Sequence, residues 1–474
     1  MATEATKDAL KELRQRLSYA PRLVWDAISE DEKKAAEELC QTYKRFLGEA
    51  KTERLATRRI LQIAEAAGFE RYRPGGHQKK YYLSLNQKCT ALVIRGTRTP
   101  LEGLRIIGSH VDAPRFDLKQ NPLYEEAEVG FFKTHYYGGI KKYQWFARPL
   151  ALYGTLVRGN GEAIDLAIGD SEDDPVFTIA DLLPHLARKQ RETKVVDAFE
   201  AEKMNIVAGS LPVPGSDKDS KERVKLNLLR LLNEKYGIVE EDFISAELEI
   251  VPAGQAKDVG LDRSLVGAYG QDDRICAFSS LKALLDAKDP PYPCIAIFFD
   301  KEEIGSDGAT GAKSRFIEVV VADLLRDEGI EPNTANILRA LTSTKALSAD
   351  VNGALDPDYQ EVHEKRNAAR LGYGVCLTKF TGSGGKYGAN DANAEFVGWL
   401  RNLFNKRSVV WQTGELGKVD EGGGGTIAKH LAAHGMDVID CGPAILSMHA
   451  PFELASKVDV FMTYRAYNAF FTEP

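Results

Sequence analysis

Hydrophobic and polar positions follow two different periods along the chain, and these periods predict helices in some segments and strands in others. From residue 1 to about 70, apolar residues recur every three or four positions among charged ones, which is the pattern of amphipathic helices. From about 118 to 250, short β-type runs alternate with glycine and asparagine turns. One segment there, FTIADLLPHLARKQRE (177–192), has helical spacing instead. Largely apolar, strand-like runs lie at 81–85, 90–96 and 104–110, and a continuous apolar run that predicts a buried strand lies at 294–299.

This order of elements predicts a mixed-sheet α/β domain that is interrupted by a β-rich insertion. We expect residues 1–117 and 256–474 to form the α/β domain, and residues 118–255 to form the inserted domain. A chain of 474 residues is also too long for one compact core, which favours two domains.

Composition and charge exclude several classes of protein. Hydrophobic residues make up 43% of the chain and charged residues 28%, which is ordinary for a globular protein. The net charge of −7 gives no reason to expect nucleic acid or a membrane as partner. The amino-terminal sequence MATEATKDALKELRQRL lacks the apolar stretch of a signal peptide, so we expect a cytoplasmic protein. The six cysteines form no CxxC pair, and a cysteine-based zinc site is therefore not indicated.

Acidic residues and histidines recur at the ends of predicted strands or in the loops after them. In open α/β sheets, this is the edge at which ligands bind. Together these residues supply the histidines and carboxylates that two divalent metals sharing one bridging carboxylate require. Such ligands suit zinc, and they also tolerate manganese or cobalt. The segments are SHVDAP (109–114), GQDDR (270–274), DKEEIGS (300–306), SADVNG (348–353) and LSMHAP (446–451).

The ordered series of motifs resembles the aspartyl aminopeptidase and aminopeptidase I family of two-metal exopeptidases along nearly the whole chain. The motifs are GSHVDAP, YYGGIKKYQWFARPLALYG, FTIADLLPHLAR, GQDDR, FDKEEIGS, LSADVNGALDPDY, the KYGANDANAEF region and LSMHAPFE. The resemblance implies a metal-dependent aminopeptidase that removes the N-terminal residue of peptides. It implies two divalent metal ions per subunit, zinc first, with manganese or cobalt as alternatives. It also implies self-association, because the family builds dodecamers from dimers that the inserted domain joins.

The same resemblance assigns the metal ligands, motif by motif. His110 and Asp350 would bind one metal, and Glu303 and His449 would bind the other. Asp272, the first aspartate of GQDDR, would bridge the two.

The same resemblance implies that two further acidic residues act in catalysis without binding metal. Glu302 would be the general base that takes a proton from the attacking water. Asp112 would accept the imidazole N–H of His110 and fix its tautomer. Because neighbouring residues of a regular strand point to opposite faces, we expect the strand to end at or before the Glu302–Glu303 pair.

Two residues are expected to lie near the substrate. In the family that this sequence resembles, the histidine that matches His185 reaches from the insertion toward the active site of the neighbouring subunit. Lys386 matches a basic residue close to the substrate, and an acidic substrate side chain would need such a cation. Aspartyl-specific members usually have Met-Ala-His after Ser-Ala-Asp, whereas this chain has Val-Asn-Gly at 351–353. The pattern favours acidic N-terminal residues slightly, with neutral or broad specificity as the alternative.

The sequence fits the features of other protein classes less well. A two-metal deacylase or dipeptidase would share the metal chemistry but lack the insertion. A non-catalytic scaffold would be indicated by missing ligands, and none is missing. The stretch EGGGGTIAKHLAAHG (421–435) lacks the Gly-Lys-Ser/Thr ending of a phosphate-binding loop. His430 and His434 stand four apart but lack the glutamate of an HExxH zinc motif.

Overall fold

The computed structural model describes residues 4–474, so the first three positions of the predicted segment 1–117 lie outside the described residues. The helices are α1 (Glu4–Leu17), α2 (Val24–Ala27), α3 (Glu30–Glu49), α4 (Glu53–Ala66), α5 (Arg188–Glu192), α6 (Val195–Ala198), α7 (Arg223–Tyr236), α8 (Gln271–Asp286), α9 (Phe316–Asp327), α10 (Thr334–Thr342), α11 (Ala394–Lys406), α12 (Ala428–Ala432) and α13 (Lys457–Thr472). Within residues 4–474, no helix combines the length and the apolar character that crossing a membrane requires.

The strands fall into two large sheets and one small pair. They are β1 (Glu70–Arg71), β2 (Lys80–Leu85), β3 (Cys89–Ile94), β4 (Arg105–His110), β5 (Arg115–Glu126), β6 (Val129–Tyr137), β7 (Leu150–Val157), β8 (Ala163–Ile168), β9 (Thr178–Ile179), β10 (Ile206–Gly209), β11 (Glu247–Pro252), β12 (Lys257–Val259), β13 (Leu265–Ala268), β14 (Cys294–Phe299), β15 (Lys345–Ser348), β16 (Asn352–Gly353), β17 (Val375–Thr378), β18 (Gly382–Ser383), β19 (Trp411–Thr413), β20 (Gly423–Gly424), β21 (Asp437–Leu446) and β22 (Glu453–Ser456).

The first sheet is mixed, with parallel strands at its centre. Its order is β1-β2-β3-β14-β4-β15-β21-β22-β13-β12, with β16 and β17 paired to β21 and β19 paired to β17. Strands β14, β4, β15 and β21 run parallel to one another, whereas β3 runs antiparallel to β14. The register pairs Phe299 with His110 and Ser348 with Gly108, so three parallel strands end at one edge.

Helices cover both faces of this sheet, which explains the apolar runs in the sequence. Neighbouring side chains of a strand point to opposite faces. Ile107 accordingly packs into the core that α3, α4, α8, α11 and α13 form on one face. Ile106 packs into the core beneath α9, α10 and α12 on the other face. Every residue of β3, β4 and β14 is buried, as expected for strands covered on both sides.

The second sheet is separate and antiparallel, with the strand order β8-β7-β11-β5-β6-β10-β9. It has its own core, in which Phe116 and Trp145 meet edge-to-face with ring centroids 5.1 Å apart. The mixed α/β sheet with an added β-rich unit confirms the predicted fold class. The second sheet begins at Arg115 and ends at Pro252. The domain boundaries 118–255 themselves stay a prediction.

Candidate metal centre

The histidines and carboxylates predicted as ligands come together beside the carboxyl ends of the parallel strands. His110 is the last residue of β4, and Asp350 lies two residues after β15. Strand β14 ends at Phe299, and Glu302 opens the 3-10 turn Glu302–Ile304. The strand therefore ends before the glutamate pair, as the alternation of side chains required.

His110 is buried and has partners at both ring nitrogens. Its Nε2 lies 3.1 Å from Asp272 Oδ1 and 3.9 Å from Asp350 Oδ1. Its Nδ1 lies 3.2 Å from Asp112 Oδ1 and 3.1 Å from the Asp112 carbonyl oxygen. A ring N–H on the Asp112 side leaves the Nε2 lone pair free to bind a metal.

His449 is oriented in the same manner by a different partner. Its Nδ1 lies 2.8 Å from the carbonyl oxygen of Gly139, which can only accept a hydrogen bond. Its Nε2 lies 3.2 Å from Asp272 Oδ2 and 3.4 Å from Glu303 Oε2. The two carboxylate oxygens of Asp272 therefore face two different histidines, which is the arrangement of a bridging carboxylate.

The spacing and burial of these side chains fit divalent metal ions. Possible ligand atoms of His110, Asp272 and Glu303 lie within 4.8 Å of one another, and so do those of His110, Asp273 and Asp350. Burial raises the pKa of Glu303 well above its usual range, and the Asp272 carboxylate raises it further. The Oε1 atom of Glu303 is buried and has no hydrogen-bond partner within residues 4–474. Cations would satisfy this oxygen and neutralise the clustered carboxylates.

Glu302 and Glu303 share one anchor, although their side chains have different neighbours. The backbone N–H of Glu302 donates to Asp112 Oδ1 at 3.1 Å, and that of Glu303 donates to Asp112 Oδ2 at 3.2 Å. Burial raises the pKa of the Glu302 carboxyl to about 7, a shift that nearby cations would oppose. Asp112 thus has two roles: it holds the Glu302–Glu303 turn, and it orients the His110 ring.

A cavity of about 490 Å³ opens beside this cluster and gives a substrate access to it. Lys386 lies in its wall, where the Nζ atom is 2.8 Å from Asp391 Oδ2 and 3.9 Å from the centroid of the Phe380 ring. His185 is exposed and does not belong to the described residues that line the cavity. Within one chain, the structure therefore brings Lys386 to the site but not His185.

Several residues that build the site were not identified from the sequence. Glu453 accepts backbone hydrogen bonds from Asp272 at 3.2 Å and from His449 at 2.9 Å. Asp273, joined to Asp272 by a cis peptide bond, accepts the backbone N–H of His110 at 3.3 Å. The hydroxyl of Tyr137 donates to Asp112 at 2.8 Å. All three lie inside motifs quoted above, but the motifs alone do not show these contacts.

Comparison with known proteins places the fold and the motifs in one family. The family described as aminopeptidase I zinc metalloprotease (M18) matches residues 46–471. A probable M18 family aminopeptidase 1 from Clostridium acetobutylicum is 47% identical over 456 residues, which cover 94% of this chain and 97% of that protein. The corresponding protein of Thermotoga neapolitana is 48% identical over 449 residues, with the same shares of the two chains.

Solved structures agree with this result. The crystal structure of an M18 family aminopeptidase from Thermotoga maritima matches with a TM-score of 0.92 and 45% identity, covering 96% of this chain and 100% of that chain. The structure of the S. cerevisiae mApe1 dodecamer matches with a TM-score of 0.74 and 23% identity, covering 92% of this chain and 96% of that chain. At that identity, the second likeness concerns the fold alone.

Proposed function

This chain belongs to the aminopeptidase I zinc metalloprotease (M18) family, and from that membership we propose a two-metal aminopeptidase mechanism centred on Asp272. As an M18 metalloaminopeptidase, the protein is a hydrolase that acts on peptides. The observation that carries the mechanistic proposal is the division of the Asp272 carboxylate, which has one oxygen directed at each histidine.

We propose that His110 and Asp350 hold one metal ion and that Glu303 and His449 hold the other. Asp272 bridges the pair. The distances of 3.1–3.9 Å between these side-chain atoms support the grouping. Imidazole and carboxylate ligands favour zinc, with manganese or cobalt as alternatives.

Bound metal ions would lower the pKa of a water molecule and polarise the carbonyl of the scissile peptide bond. In this proposal Glu302 takes the proton from the attacking water and later gives it to the leaving amine. Its carboxylate borders the cavity, and its backbone is held by Asp112. Asp112 keeps the His110 ring in the tautomer that leaves Nε2 free.

We also propose which N-terminal substrate residue the enzyme prefers. Lys386 favours substrates with an acidic N-terminal residue, because this positively charged side chain lies in the cavity wall. Asp391 offsets part of that charge at 2.8 Å, which reduces the attraction for a second carboxylate. We keep a slight preference for acidic residues, with neutral or broad specificity as the alternative.

The proposal also includes self-association through residues 118–255 and a cytoplasmic location. Leu182, Leu183 and Leu186, which flank His185, are all exposed in the single chain. An exposed apolar group of this kind is typical of a surface that another subunit covers. A dodecamer is formed by the S. cerevisiae relative, and we propose dimers that assemble in a similar way.

Metal analysis combined with a substrate panel tests the proposed function. Exhaustive chelation should abolish hydrolysis of aminoacyl anilides, and added zinc, cobalt or manganese should restore it. Full activity in a sample shown to be free of metal would refute the two-metal proposal. Hydrolysis of N-acetylated amino acids but not of aminoacyl anilides would instead identify a deacylase.

A further inference from the structure

We infer that Tyr137 is a positioning residue for the metal centre of its own chain, although it lies on the second sheet. Tyr137 is the last residue of β6, and its hydroxyl donates a hydrogen bond to Asp112 Oδ2 at 2.8 Å. The inference rests on the proposed function, because Asp112 affects metal binding only if its partners are metal ligands.

Asp112 is fully buried, and its two oxygens serve different partners. Its Oδ1 accepts the N–H of Glu302 at 3.1 Å and lies 3.2 Å from Nδ1 of His110. Its Oδ2 accepts the N–H of Glu303 at 3.2 Å and the shorter bond from the Tyr137 hydroxyl. Without that hydroxyl, Oδ2 retains one longer hydrogen bond, and the carboxylate is less firmly directed at His110.

The ring of Tyr137 is held independently of its hydroxyl. Arg115 pairs with Tyr137 in the β5–β6 register, and its guanidinium carbon lies 4.0 Å from the ring centroid. Arg115 is itself buried and lies 2.8 Å from Asp117 and 3.4 Å from each of Glu53 and Glu249. Phenylalanine would therefore keep this cation–π contact and lose only the donor to Asp112.

The residues that follow Tyr137 approach the metal centre as well. A Cβ atom built at Gly138 would lie 3.3 Å from Cβ of Glu303, so this loop packs directly against the ligand turn. Two residues after Tyr137, the Gly139 carbonyl accepts the Nδ1 hydrogen bond of His449. Residues at the end of β6 and just after it thus help to orient both histidines. Tyr137 acts on His110 through Asp112, and Gly139 binds His449 directly.

Metal affinity of the full-length Tyr137→Phe protein tests the inference. Competition with a chelator at fixed pH should show metal binding about tenfold weaker, because partners of a metal-bound histidine typically contribute 10- to 100-fold in affinity. The kcat should fall with little change in KM. In an Asp112→Asn background, Tyr137→Phe should cause no further loss of metal affinity, since it acts through that carboxylate.

Tyr269→Phe is the control, because it too removes one tyrosine hydroxyl that donates a hydrogen bond: Tyr269 is buried, whereas Tyr137 is half-buried, and the Tyr269 hydroxyl donates to the Pro114 carbonyl oxygen at 3.0 Å. It should lose stability similarly but keep wild-type metal affinity. Equal metal affinity of Tyr137→Phe and the wild type, or equal losses in both tyrosine variants, would overturn the inference. Failure of the wild type to bind metal in the same titration would instead refute the proposed function and the inference with it.

Discussion

Replacing Glu302 with glutamine should remove proton transfer while leaving both metal ions in place. The backbone N–H of Glu302 makes the contact with Asp112 at 3.1 Å, so this anchor survives any change of side chain. Glutamine has nearly the same shape but does not accept a proton from water. The neighbouring carboxylates are already engaged, because Glu303 faces His449 and Asp272 faces both His110 and His449, so neither is placed to replace that of Glu302.

We therefore expect kcat to fall by about 10²–10⁴-fold, the usual contribution of a positioned general base. This corresponds to about 3–5 kcal/mol of activation free energy. Metal content should stay at the wild-type level, because Glu302 holds no ion in the proposed arrangement.

The adjacent substitution, Glu303→Gln, should have the opposite effect and serves as the matched comparison. The Glu303 Oε2 atom lies 3.4 Å from Nε2 of His449, and its Oε1 atom is buried without a partner within the described chain. Removing one member of a buried charge pair costs about 3–5 kcal/mol, which is at least about 10²-fold in the affinity for that ion.

The two variants should be purified separately under the same conditions. Each is then analysed for metal after dialysis and assayed with aminoacyl anilides. Excess zinc should restore activity in part to Glu303→Gln and not at all to Glu302→Gln. If Glu302→Gln lost metal while Glu303→Gln stayed fully loaded, the proposed roles of the two glutamates would be reversed.

Two further predictions concern the substrate side of the site. His185→Ala should lower activity without changing metal content, and mixing it with Glu302→Gln protein should regenerate some activity if subunits exchange. A fully active, monomeric His185→Ala protein would contradict the proposed contribution across the dimer. Lys386→Met should lower kcat/KM for Asp- and Glu-terminated substrates by roughly two- to fivefold relative to Leu- and Ala-terminated ones, since a half-exposed ion pair contributes about 1 kcal/mol or less. Lys379 remains paired with Asp391 in this variant, so no acid is left unpaired, and an unchanged preference for leucine would exclude the role of Lys386.

The central sheet could be predicted from local patterns because its strands are covered on both faces. Strands β4 and β14 lie within the runs at 104–110 and 294–299, and β3 overlaps the run at 90–96 after beginning one residue before it. Such strands must be apolar at nearly every position, and few other elements of this length are. Their parallel order, by contrast, depends on contacts between distant segments that no single run displays.

The helix predicted over 177–192 is wrong for most of its length. The segment begins with strand β9, and α5 starts only at Arg188. Pro184 supplies no backbone N–H for a helix interior, and Leu183 and Leu186 are exposed instead of packed into a hydrophobic core of residues 4–474. Short isolated helices are marginal without such packing, so the spacing of leucines was an insufficient signal.

The residues that aim the ligands were harder to predict than the ligands, and Glu453 shows the physical reason. Its carboxylate accepts the N–H of His449 four residues earlier in the chain, and the N–H of Asp272, 181 residues earlier. Every residue except proline carries a backbone N–H, so no sequence pattern marks which donors will meet a given carboxylate.

The consequence of this contact is larger than its sequence signal. Glu453 is buried, and it also accepts the N–H of Gln271 at 2.6 Å, so an apolar residue there would leave two buried donors and the half-buried N–H of His449 without this acceptor. Each such loss costs about 1–3 kcal/mol. One carboxylate that belongs to none of the proposed ligands thus holds the backbone of Asp272 and of His449 in register. Motifs therefore predict the chemical type of each ligand, whereas the convergence of the ligands depends on tertiary contacts.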